Sequence, residues 1–462
     1  MPVSFTFFGP VKPSIPAQIA ADVRIAVANG RLRPGDEVPS TRALATQLGV
    51  SRGSVVAAYE QLASEGYLLT SQGAPTRIHP ELTVASADAP EPAKEFAPST
   101  PQATISLKPS PGSAGIIRPA AWRKAWREAA GDPVNANGRG MDKAGEPELR
   151  QAIADHLRLS RGMTVNPQQI LVTGGSREGL MLILLALGPR LRVGVEDPGH
   201  PGLRRVIPLG GHEAVACGTD GAGIVVKQLP GDLDALLVTP SHLFPLGGSM
   251  PAPRLAELLE WASRSDTVLI EDDFNTELRY RISPQPTLTS LAPAADVVTL
   301  GTFSTLLSRE LAAGYVVASP TTADRLREVR AVLGVPVSAV TQRAIASLLD
   351  GGVVRRNTQS VHRELARRRT VLSERVIPAL EQANAEAQLA PGDGADVTVH
   401  FPAGDQRDAF VASLQAQGVE CGRESALWTG GGDGLVLSFA HLGDTDFTRA
   451  VDAVLRHVAT LG

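Results

Sequence analysis

The segment Thr299–Ser319 has the sequence TLGTFSTLLSRELAAGYVVAS. An apolar run ends at Leu300 and is followed by a small polar turn, Gly301–Thr305. A second run rich in β-forming residues, Gly314–Val317, comes near the end of the segment. Short apolar runs on either side of a Gly, Ser and Thr turn are typical of strands. The pattern therefore predicts a strand, a polar turn and a second strand.

Strands and helices alternate before this segment. Gln169–Thr173 is predicted to be a strand, and Glu178–Leu187 is predicted to be a helix. This alternation favours a doubly wound α/β core. The intervening turn, Thr173–Arg177, has the sequence TGGSR. Its backbone N–H groups, at the start of a helix, are suited to hold a phosphate.

The composition is that of a globular protein. The chain has 462 residues, a length sufficient for two or three domains. Of these residues, 43% are hydrophobic and 20% are charged. No apolar run of about 18 residues and no basic leader followed by an apolar run is present, so we expect a cytoplasmic protein with no membrane partner. Cys217 and Cys421 are too few for a disulfide framework and lack metal-ligand spacing, so no metal site is expected.

The N-terminal part of the chain has a different pattern. Apolar residues recur every four positions from Ile19 to Val27, which predicts a helix. Ser40 and Ser51 are N-cap candidates for a second and a third helix. A short β-ribbon is predicted to run to about Ile78. This order of helices, tight glycine turn and ribbon is that of a winged helix-turn-helix.

The sequence GRLRPGDEVPSTRALATQLGVSRGSVVAAYEQLASEGYLLTSQG, from Gly30 to Gly73, resembles the GntR-type DNA-binding domain almost position by position. The resemblance implies that the third helix enters the major groove of double-stranded DNA. The residues that it places at the DNA are Thr41, Arg42, Ser51, Arg52, Gly53, Ser54 and Thr76. Arg52 is the candidate for pairing with a guanine edge, and a phosphate contact is the alternative. Where the family usually has Gly-x-Gly-Thr in its wing, this chain has Gly-Ala-Pro-Thr.

These patterns divide the chain into three parts. Residues 1–79 are the predicted winged helix-turn-helix domain, and they carry seven Lys and Arg against five Asp and Glu within residues 1–80. Residues 80–104 are rich in Pro, Ala, Ser and Thr without periodicity, which is typical of a linker. Residues 105–462 are the predicted α/β domain.

The α/β part resembles the aminotransferase-like half of the MocR/GabR regulators, in which a GntR-type domain is fused to a fold type I domain. The matching segments are SLKPSPGSAGIIRPAAW, LRQAIADHLRLSRGMTVNPQQILVTGGSREGL and GLVLSFAHLGD. The resemblance implies a large domain with a mixed, mostly parallel sheet and a smaller C-terminal α/β subdomain. It also implies a homodimer with two DNA-binding domains.

The resemblance further implies a ligand pocket. Its expected residues are Gly175, Ser176, Arg177, His200, Ser241, His242, Asp272, Phe274, Ser304 and Thr305. In the family a lysine at the position of Thr305 condenses with pyridoxal phosphate, and an arginine stands at the position of Ala312. Asp272 is assigned to the carboxylate that pairs with the pyridine nitrogen, and Asp273 is the alternative. No lysine follows Lys227 in the chain, and Lys143 is a weak substitute.

A threonine hydroxyl cannot form an imine, and transamination needs the lysine both as imine partner and as base. The interpretation is therefore a DNA-binding transcriptional regulator with a non-catalytic, dimerising domain that senses a small molecule, an anion being favoured by Arg177. No covalent cofactor is expected, and pyridoxal phosphate held without a covalent bond is left open. Two alternatives also stay open, namely a residual pyridoxal phosphate enzyme and a regulator whose large domain is an empty dimerisation scaffold.

Overall fold

The computed structural model describes residues 14–70, 74–82, 105–109, 117–131, 141–245, 247–279, 286–291, 296–391 and 394–459. The chain forms two compact units, Met1–Thr100 and Pro101–Gly462. The division falls within residues 80–104, most of which lie outside the described residues. None of the described helices is long and apolar enough to cross a membrane.

The first unit contains three helices and a two-stranded antiparallel ribbon: α1 (Ile15–Ala28), α2 (Thr41–Leu48), α3 (Arg52–Ser64), β1 (Leu68–Leu69) and β2 (Arg77–Ile78). Both predicted N-caps are formed. The Ser40 hydroxyl accepts from the Ala43 N–H at 3.2 Å, and the Ser51 hydroxyl accepts from the Ser54 N–H at 3.1 Å. Gly49 ends α2 in the left-handed conformation, which glycine adopts without steric cost.

The three helices enclose a small core whose buried members include Ile19, Val23, Val27, Leu44, Val55, Tyr59, Leu62 and Ile78. The Tyr59 hydroxyl donates to the Pro39 carbonyl oxygen at 2.8 Å, and burial raises the Tyr59 pKa to about 12. This bond links α3 to the residue that precedes α2 and its N-cap. The predicted winged helix-turn-helix is confirmed.

The second unit is an α/β structure. Its strands are β3 (Ile105–Leu107), β4 (Ile170–Thr173), β5 (Arg192–Asp197), β6 (Glu213–Asp220), β7 (Gly223–Ile224), β8 (Ala235–Val238), β9 (Val268–Asp272), β10 (Val297–Thr302), β11 (Gly314–Val317), β12 (Glu386–Leu389), β13 (Asp396–His400), β14 (Val419–Arg423) and β15 (Leu435–Ser438). Its helices are α4 (Pro119–Gly131), α5 (Pro147–Arg161), α6 (Ser176–Leu187), α7 (Pro201–Arg204), α8 (Val206–Leu209), α9 (Ala252–Ser265), α10 (Leu288–Leu291), α11 (Pro320–Leu333), α12 (Ala339–Asp350), α13 (Val353–Val371), α14 (Ile377–Gln382), α15 (Gly404–Ala416) and α16 (Asp444–Ala459). One turn of π-helix, Leu372–Val376, joins α13 to α14.

The main sheet has eight strands in the order β4-β11-β10-β9-β8-β5-β6-β7. The four pairings from β10 through β9, β8 and β5 to β6 are parallel, whereas β11 runs antiparallel to both of its neighbours. Helices of the same unit pack on the sheet, and every residue of β4, β8, β10 and β11 is buried. The carboxyl ends of β5, β8, β9 and β10 therefore lie along one edge of the sheet.

The strand-turn-strand predicted from Thr299–Ser319 is the antiparallel pair β10 and β11. Gly301 lies directly opposite Tyr315, and every residue of both strands is buried. A Cβ atom at Gly301 would lie 2.1 Å from Cζ of Tyr315, so only glycine fits there. The tyrosine ring in turn packs on Phe303 at 5.5 Å between ring centroids.

A second, five-stranded sheet has the order β12-β13-β15-β14-β3. Its pairings are antiparallel except between β14 and β3. Together with α15 and α16 it forms the C-terminal subdomain, whose buried residues belong to one hydrophobic cluster with α5, α12 and α13. The predicted fold class, a winged helix-turn-helix plus a fold type I α/β domain, is confirmed.

Candidate functional site

The first candidate site is the N-terminal end of α3. Ser51, Arg52 and Gly53 are exposed there, and Ser54 is half-buried beneath them. The hydroxyl groups of Ser51 and Ser54 lie 2.8 Å apart, which fixes the cap of the helix. The first turn of a helix carries free N–H groups and partial positive charge, so this end is suited to a DNA phosphate. Arg52 forms no ion pair with another described residue.

The other predicted DNA contacts lie on α2 and on the ribbon. Arg42 is exposed on α2, and Thr41 is half-buried beside it. Thr76 is half-buried, and its carbonyl oxygen accepts from the Val38 N–H at 2.9 Å. The neighbouring Arg77 pairs with Glu37, so its charge is already compensated within the unit. Gly73, at the tip of the predicted wing, lies outside the described residues.

The second candidate site is a cavity of about 280 Å³ at the carboxyl edge of the main sheet. The residues that line it are Gly174, Gly175, Ser176, Arg177, His200, Leu203, Asp272, Phe274, Thr302, Ser304 and Ala312. Seven of the ten predicted pocket residues are in this group, so the structure brings most of them together. Ligands of open α/β sheets bind at this kind of edge.

The turn between β4 and α6 forms one wall. Gly175 has φ +96°, a left-handed conformation that lets the chain enter α6 at Ser176. The Gly174 N–H donates to Oε2 of Glu178 at 2.9 Å, and Glu178 accepts two bonds from Arg330 at 2.7 and 3.0 Å. Because the Arg330 side chain is only 1% exposed, this ion pair ties the turn firmly to α11.

Asp272 forms the opposite wall, at the end of β9. Its Oδ1 atom is buried without a hydrogen-bond partner, and burial, followed by the charges of Asp273 and Glu196, raises its pKa to about 8. Asp273 differs, because its carboxylate pairs with Arg161 at 3.1 Å and accepts from the Thr276 hydroxyl at 2.6 Å. Asp272 is therefore the carboxyl group at the cavity.

Aromatic rings form a third wall. His200 packs on Phe244 at 5.2 Å, and Phe274 packs edge-on against His242 at 5.1 Å and on Phe244 at 5.9 Å. Nδ1 of His200 accepts from the Leu203 N–H at 3.1 Å. Burial, aided by the nearby Arg177 charge, lowers the His200 pKa to about 4. The imidazole is therefore neutral near pH 7 and offers a flat, weakly polar face.

Three predicted pocket residues do not line this cavity. Thr305 is 2% exposed and lies in the turn after Ser304, which does line it. The Ser241 hydroxyl accepts from Arg161 at 3.1 Å, and its carbonyl oxygen accepts from Arg279 at 3.0 Å. His242 lies behind Phe274, and burial lowers its pKa to about 4.

Four lining residues were not predicted, namely Gly174, Leu203, Thr302 and Ala312. Gly174 is next to Gly175, and Thr302 lies two residues before Ser304, so both belong to turns that contain predicted residues. Ala312 was noticed only as the place where the family has an arginine. It is exposed at the cavity with φ +44°, a left-handed conformation that is uncommon for a residue with a side chain. Nothing in the sequence singles out Leu203.

The fold type implies pyridoxal phosphate, and the donor set suits part of that molecule. The Gly175–Ser176 turn and Arg177 suit its phosphate, and the unpartnered oxygen of Asp272 suits its ring nitrogen. The described lining residues include no lysine, so they hold no amine for a covalent bond. The residues present therefore fit the group as a bound molecule and not as a covalent cofactor.

A chain that joins a winged helix-turn-helix to an aminotransferase-type domain belongs to a class of DNA-binding proteins that also contain a cavity suited to a small molecule. Comparison with protein families agrees: residues 16–78 match the bacterial regulatory proteins of the gntR family, and residues 110–454 match aminotransferase class I and II.

The chain is similar to two curated transcriptional regulators. The chain is 43% identical over 453 residues to the HTH-type pyridoxine biosynthesis transcriptional regulator PdxR of Corynebacterium glutamicum, with 97% of each chain covered. It is 27% identical to the probable rhizopine catabolism regulatory protein MocR of Rhizobium meliloti, with 77% of this chain and 75% of that protein covered. The chain therefore belongs to the MocR/GabR-type regulators and is a DNA-binding transcriptional regulator.

Solved aminotransferases share the fold of the large unit. An archaeal alanine:glyoxylate aminotransferase superposes with a TM-score of 0.68 at 20% identity, covering 77% of this chain and 91% of that one. At this identity the likeness establishes the fold alone.

Proposed function

We propose that the aminotransferase-like domain is non-catalytic and serves as the ligand sensor of the regulator. The observation that supports the proposal is the combination of a helix N-terminal turn, Arg177 and an unpartnered oxygen of Asp272 in a cavity whose described lining holds no lysine. Binding groups are thus retained without the group that would do the chemistry. A pocket of this kind supports recognition and not turnover.

The replacement of the lysine by Thr305 removes two defined chemical roles. In a lysine-dependent enzyme one amine forms the covalent bond to the cofactor and later moves the substrate proton. Thr305 can do neither, because a threonine hydroxyl is neither an amine nor a base near pH 7. Lys143 is exposed and is not among the described lining residues. Phe274 also lacks the hydroxyl that a tyrosine would supply at that position.

The ligand class that fits best is a heteroaromatic ring with a phosphate, pyridoxal phosphate itself being the first candidate. The Gly175–Ser176 turn and Arg177 would hold the phosphate, Asp272 would pair with the ring nitrogen, and His200 would pack on the ring. When joined to a lysine this group supplies an electron sink for amino acid chemistry, and here it would act only as a signal. The name of the 43% identical relative, a pyridoxine biosynthesis regulator, supports this choice.

Ligand binding would act on DNA through a homodimer. Fold type I domains commonly form two-fold dimers, and a dimer would present two copies of α3 to paired half-sites. A ligand that prefers one arrangement of the DNA-binding domains would shift operator affinity by that preference. Sedimentation of the purified protein tests the dimer, and a monomer at micromolar concentration would contradict it.

The decisive experiment is a calorimetric titration of the full-length protein with pyridoxal phosphate, followed by borohydride treatment and mass measurement. We expect saturable binding with no retained mass. Asp272→Asn and Arg177→Ala should weaken binding about tenfold or more, because each removes a charge-assisted contact. Arg158→Ala, at an exposed arginine of α5, is the matched control and should bind normally.

The other outcomes favour the alternatives. A retained adduct, or turnover of an amino acid, would mean that another group replaces the lysine and that the chain is an enzyme. Absence of binding by this ligand, together with operator binding that no tested anion changes, would leave the domain as a dimerisation scaffold. A ligand that binds must also change operator affinity, and equal affinity in both states would refute sensing.

A further inference from the structure

We propose that a second cavity, between the main sheet and the C-terminal sheet, is a binding site for a small organic amine. Its volume is about 490 Å³, larger than the first cavity of about 280 Å³. The residues that carry the argument are Glu196, Phe244, Asp396, His400, Glu424 and Trp428. The inference does not depend on pyridoxal phosphate or on the role of the first cavity.

An incompletely bonded carboxylate lies at its inner wall. Glu196 is 5% exposed, and its Oε2 accepts from the N–H and the hydroxyl of Thr239 at 3.2 and 2.6 Å. Its Oε1 atom is buried with no partner. A buried carboxylate oxygen without a donor costs free energy, so the site is complete only when a donor is supplied.

The facing wall is acidic as well. Asp396 and Glu424, from the C-terminal sheet and the turn after β14, line the cavity opposite β5. Glu424 is 6% exposed, pairs with His400 at 3.0 Å and accepts from the Gly434 N–H at 3.0 Å. No lysine or arginine is among the described residues that line the cavity. Asp220 also lines it, but Arg254 compensates its charge at 3.0 Å. The balance of charge therefore favours a cation.

The remaining wall distinguishes an organic cation from a metal ion. The rings of Phe244 and Trp428 line the cavity, and aromatic faces attract ammonium groups. No cluster of three or more potential metal-ligating side chains occurs within the described part of the chain. An ammonium group on a short carbon chain satisfies both the aromatic and the acidic walls. Because acids lie on both sides, a molecule with two ammonium groups should bind best.

The test is a calorimetric titration of the full-length protein with 1,4-diaminobutane, 1,4-butanediol and succinate. These probes share a four-carbon chain and differ in charge. We expect saturable binding of the diamine alone. Glu196→Gln should weaken it about tenfold or more, because the amide keeps the Thr239 bonds at one oxygen and replaces the anionic acceptor with a neutral group. Glu386→Gln, at an exposed carboxylate of β12 outside the cavity, should leave it unchanged.

Two further results would overturn the proposal. One is diol binding equal to diamine binding, and the other is full diamine affinity in both Glu196→Gln and Asp396→Asn. If Glu196→Gln fails to fold, Trp428→Leu tests the same cavity from a half-buried loop position. An unchanged diamine affinity in that variant would contradict a contribution of the Trp428 ring to binding. A heat signal that disappears in moderate salt without any variant dependence would also count against a built site.

Discussion

Arg52 stands at the start of α3, exposed and without an ion-pair partner among the described residues. Arg24 of the same unit, by contrast, has its charge compensated by Glu65 at 2.7 Å. A guanidinium held by the helix end and free of a carboxylate can pair with guanine or with phosphate. Arg52 is therefore the side chain at the start of α3 that we expect to contact DNA.

Arg52→Ala should weaken operator binding by about 1–3 kcal/mol if the side chain pairs with a base. Fluorescence anisotropy with a labelled operator measures the loss, and Arg264→Ala, at an exposed arginine of α9, serves as the charge control. Loss of sequence preference at one base pair indicates base recognition. A uniform loss with a salt slope lower by about one indicates a phosphate contact. Unchanged affinity would exclude Arg52 from the interface.

Asp272 sets a dependence of stability on pH. Its pKa is about 8 in the folded chain, raised from 3.8 chiefly by burial, so the folded state keeps a proton that the unfolded state has released. Its contribution to stability is therefore present at low pH and is lost as the pH rises through 8. Between pH 6 and pH 9 the loss should be about 3 kcal/mol.

Denaturant unfolding at pH 6, 7, 8 and 9 checks this prediction. Asp272→Asn cannot ionise and should flatten the curve, while Asp324→Asn, at an exposed position of α11, should leave it unchanged. Glu271 and Glu196, whose pKa values burial raises to about 8 and about 7, keep part of the slope in the Asp272 variant, so the test is the difference between the two curves. Parallel curves for wild type and Asp272→Asn would contradict the assignment.

At the scale of elements, the turn before α6 depends on α11. Glu178 holds the Gly174 N–H only while its carboxylate is positioned by Arg330, whose side chain is almost fully buried. Removal of one partner of a buried ion pair costs about 3–5 kcal/mol, and less when the other partner reaches solvent. Glu178 is 30% exposed, so the cost here should lie near the lower limit or below it.

Arg330→Met should lower the free energy of unfolding by about 2 kcal/mol and weaken anion binding in the 280 Å³ cavity. Urea denaturation and calorimetry measure the two effects. Arg325→Met, at an exposed position of the same helix, should change neither. Loss of stability with full ligand affinity would show that the turn does not depend on this ion pair.

At the scale of the whole molecule, the DNA-binding domain and the α/β domain belong to one chain and form separate compact units. The proposed sensing function requires a coupling free energy between the ligand cavity and the DNA surface. Thermodynamic linkage makes that coupling reciprocal. The size of the effect must therefore be the same whichever ligand is titrated.

If pyridoxal phosphate changes operator affinity by a given factor, operator DNA should change the affinity for pyridoxal phosphate by the same factor, typically about 5-fold to 150-fold. Anisotropy titrations of operator with and without ligand give the first factor, and calorimetry with and without operator gives the second. Scrambled DNA is the control. Factors of one in both titrations would mean that the ligand cavity and the DNA surface are not coupled.

Much of the N-terminal unit could be predicted because its signals are local. The four-residue spacing from Ile19 to Val27 defines the buried face of α1, and the hydroxyl groups of Ser40 and Ser51 cap helices that begin one residue later. The alternation of strand and helix predicted the α/β class for the same reason, since each element carries its own period. Strand order and register had no local signal and came from the structure.

The sequence by itself determined the two domain types, through short-range spacing and resemblance to known families, and it showed that threonine stands at position 305, where the resemblance implies a lysine. Tertiary structure decided which carboxyl oxygens have no hydrogen-bond partner. Arg161, which is far from β9 in sequence, binds Asp273 and leaves Asp272 at the cavity. Thr239 satisfies only one oxygen of Glu196. Such partners are set by packing between distant elements, since hydrogen bonding and burial depend on which groups meet in space.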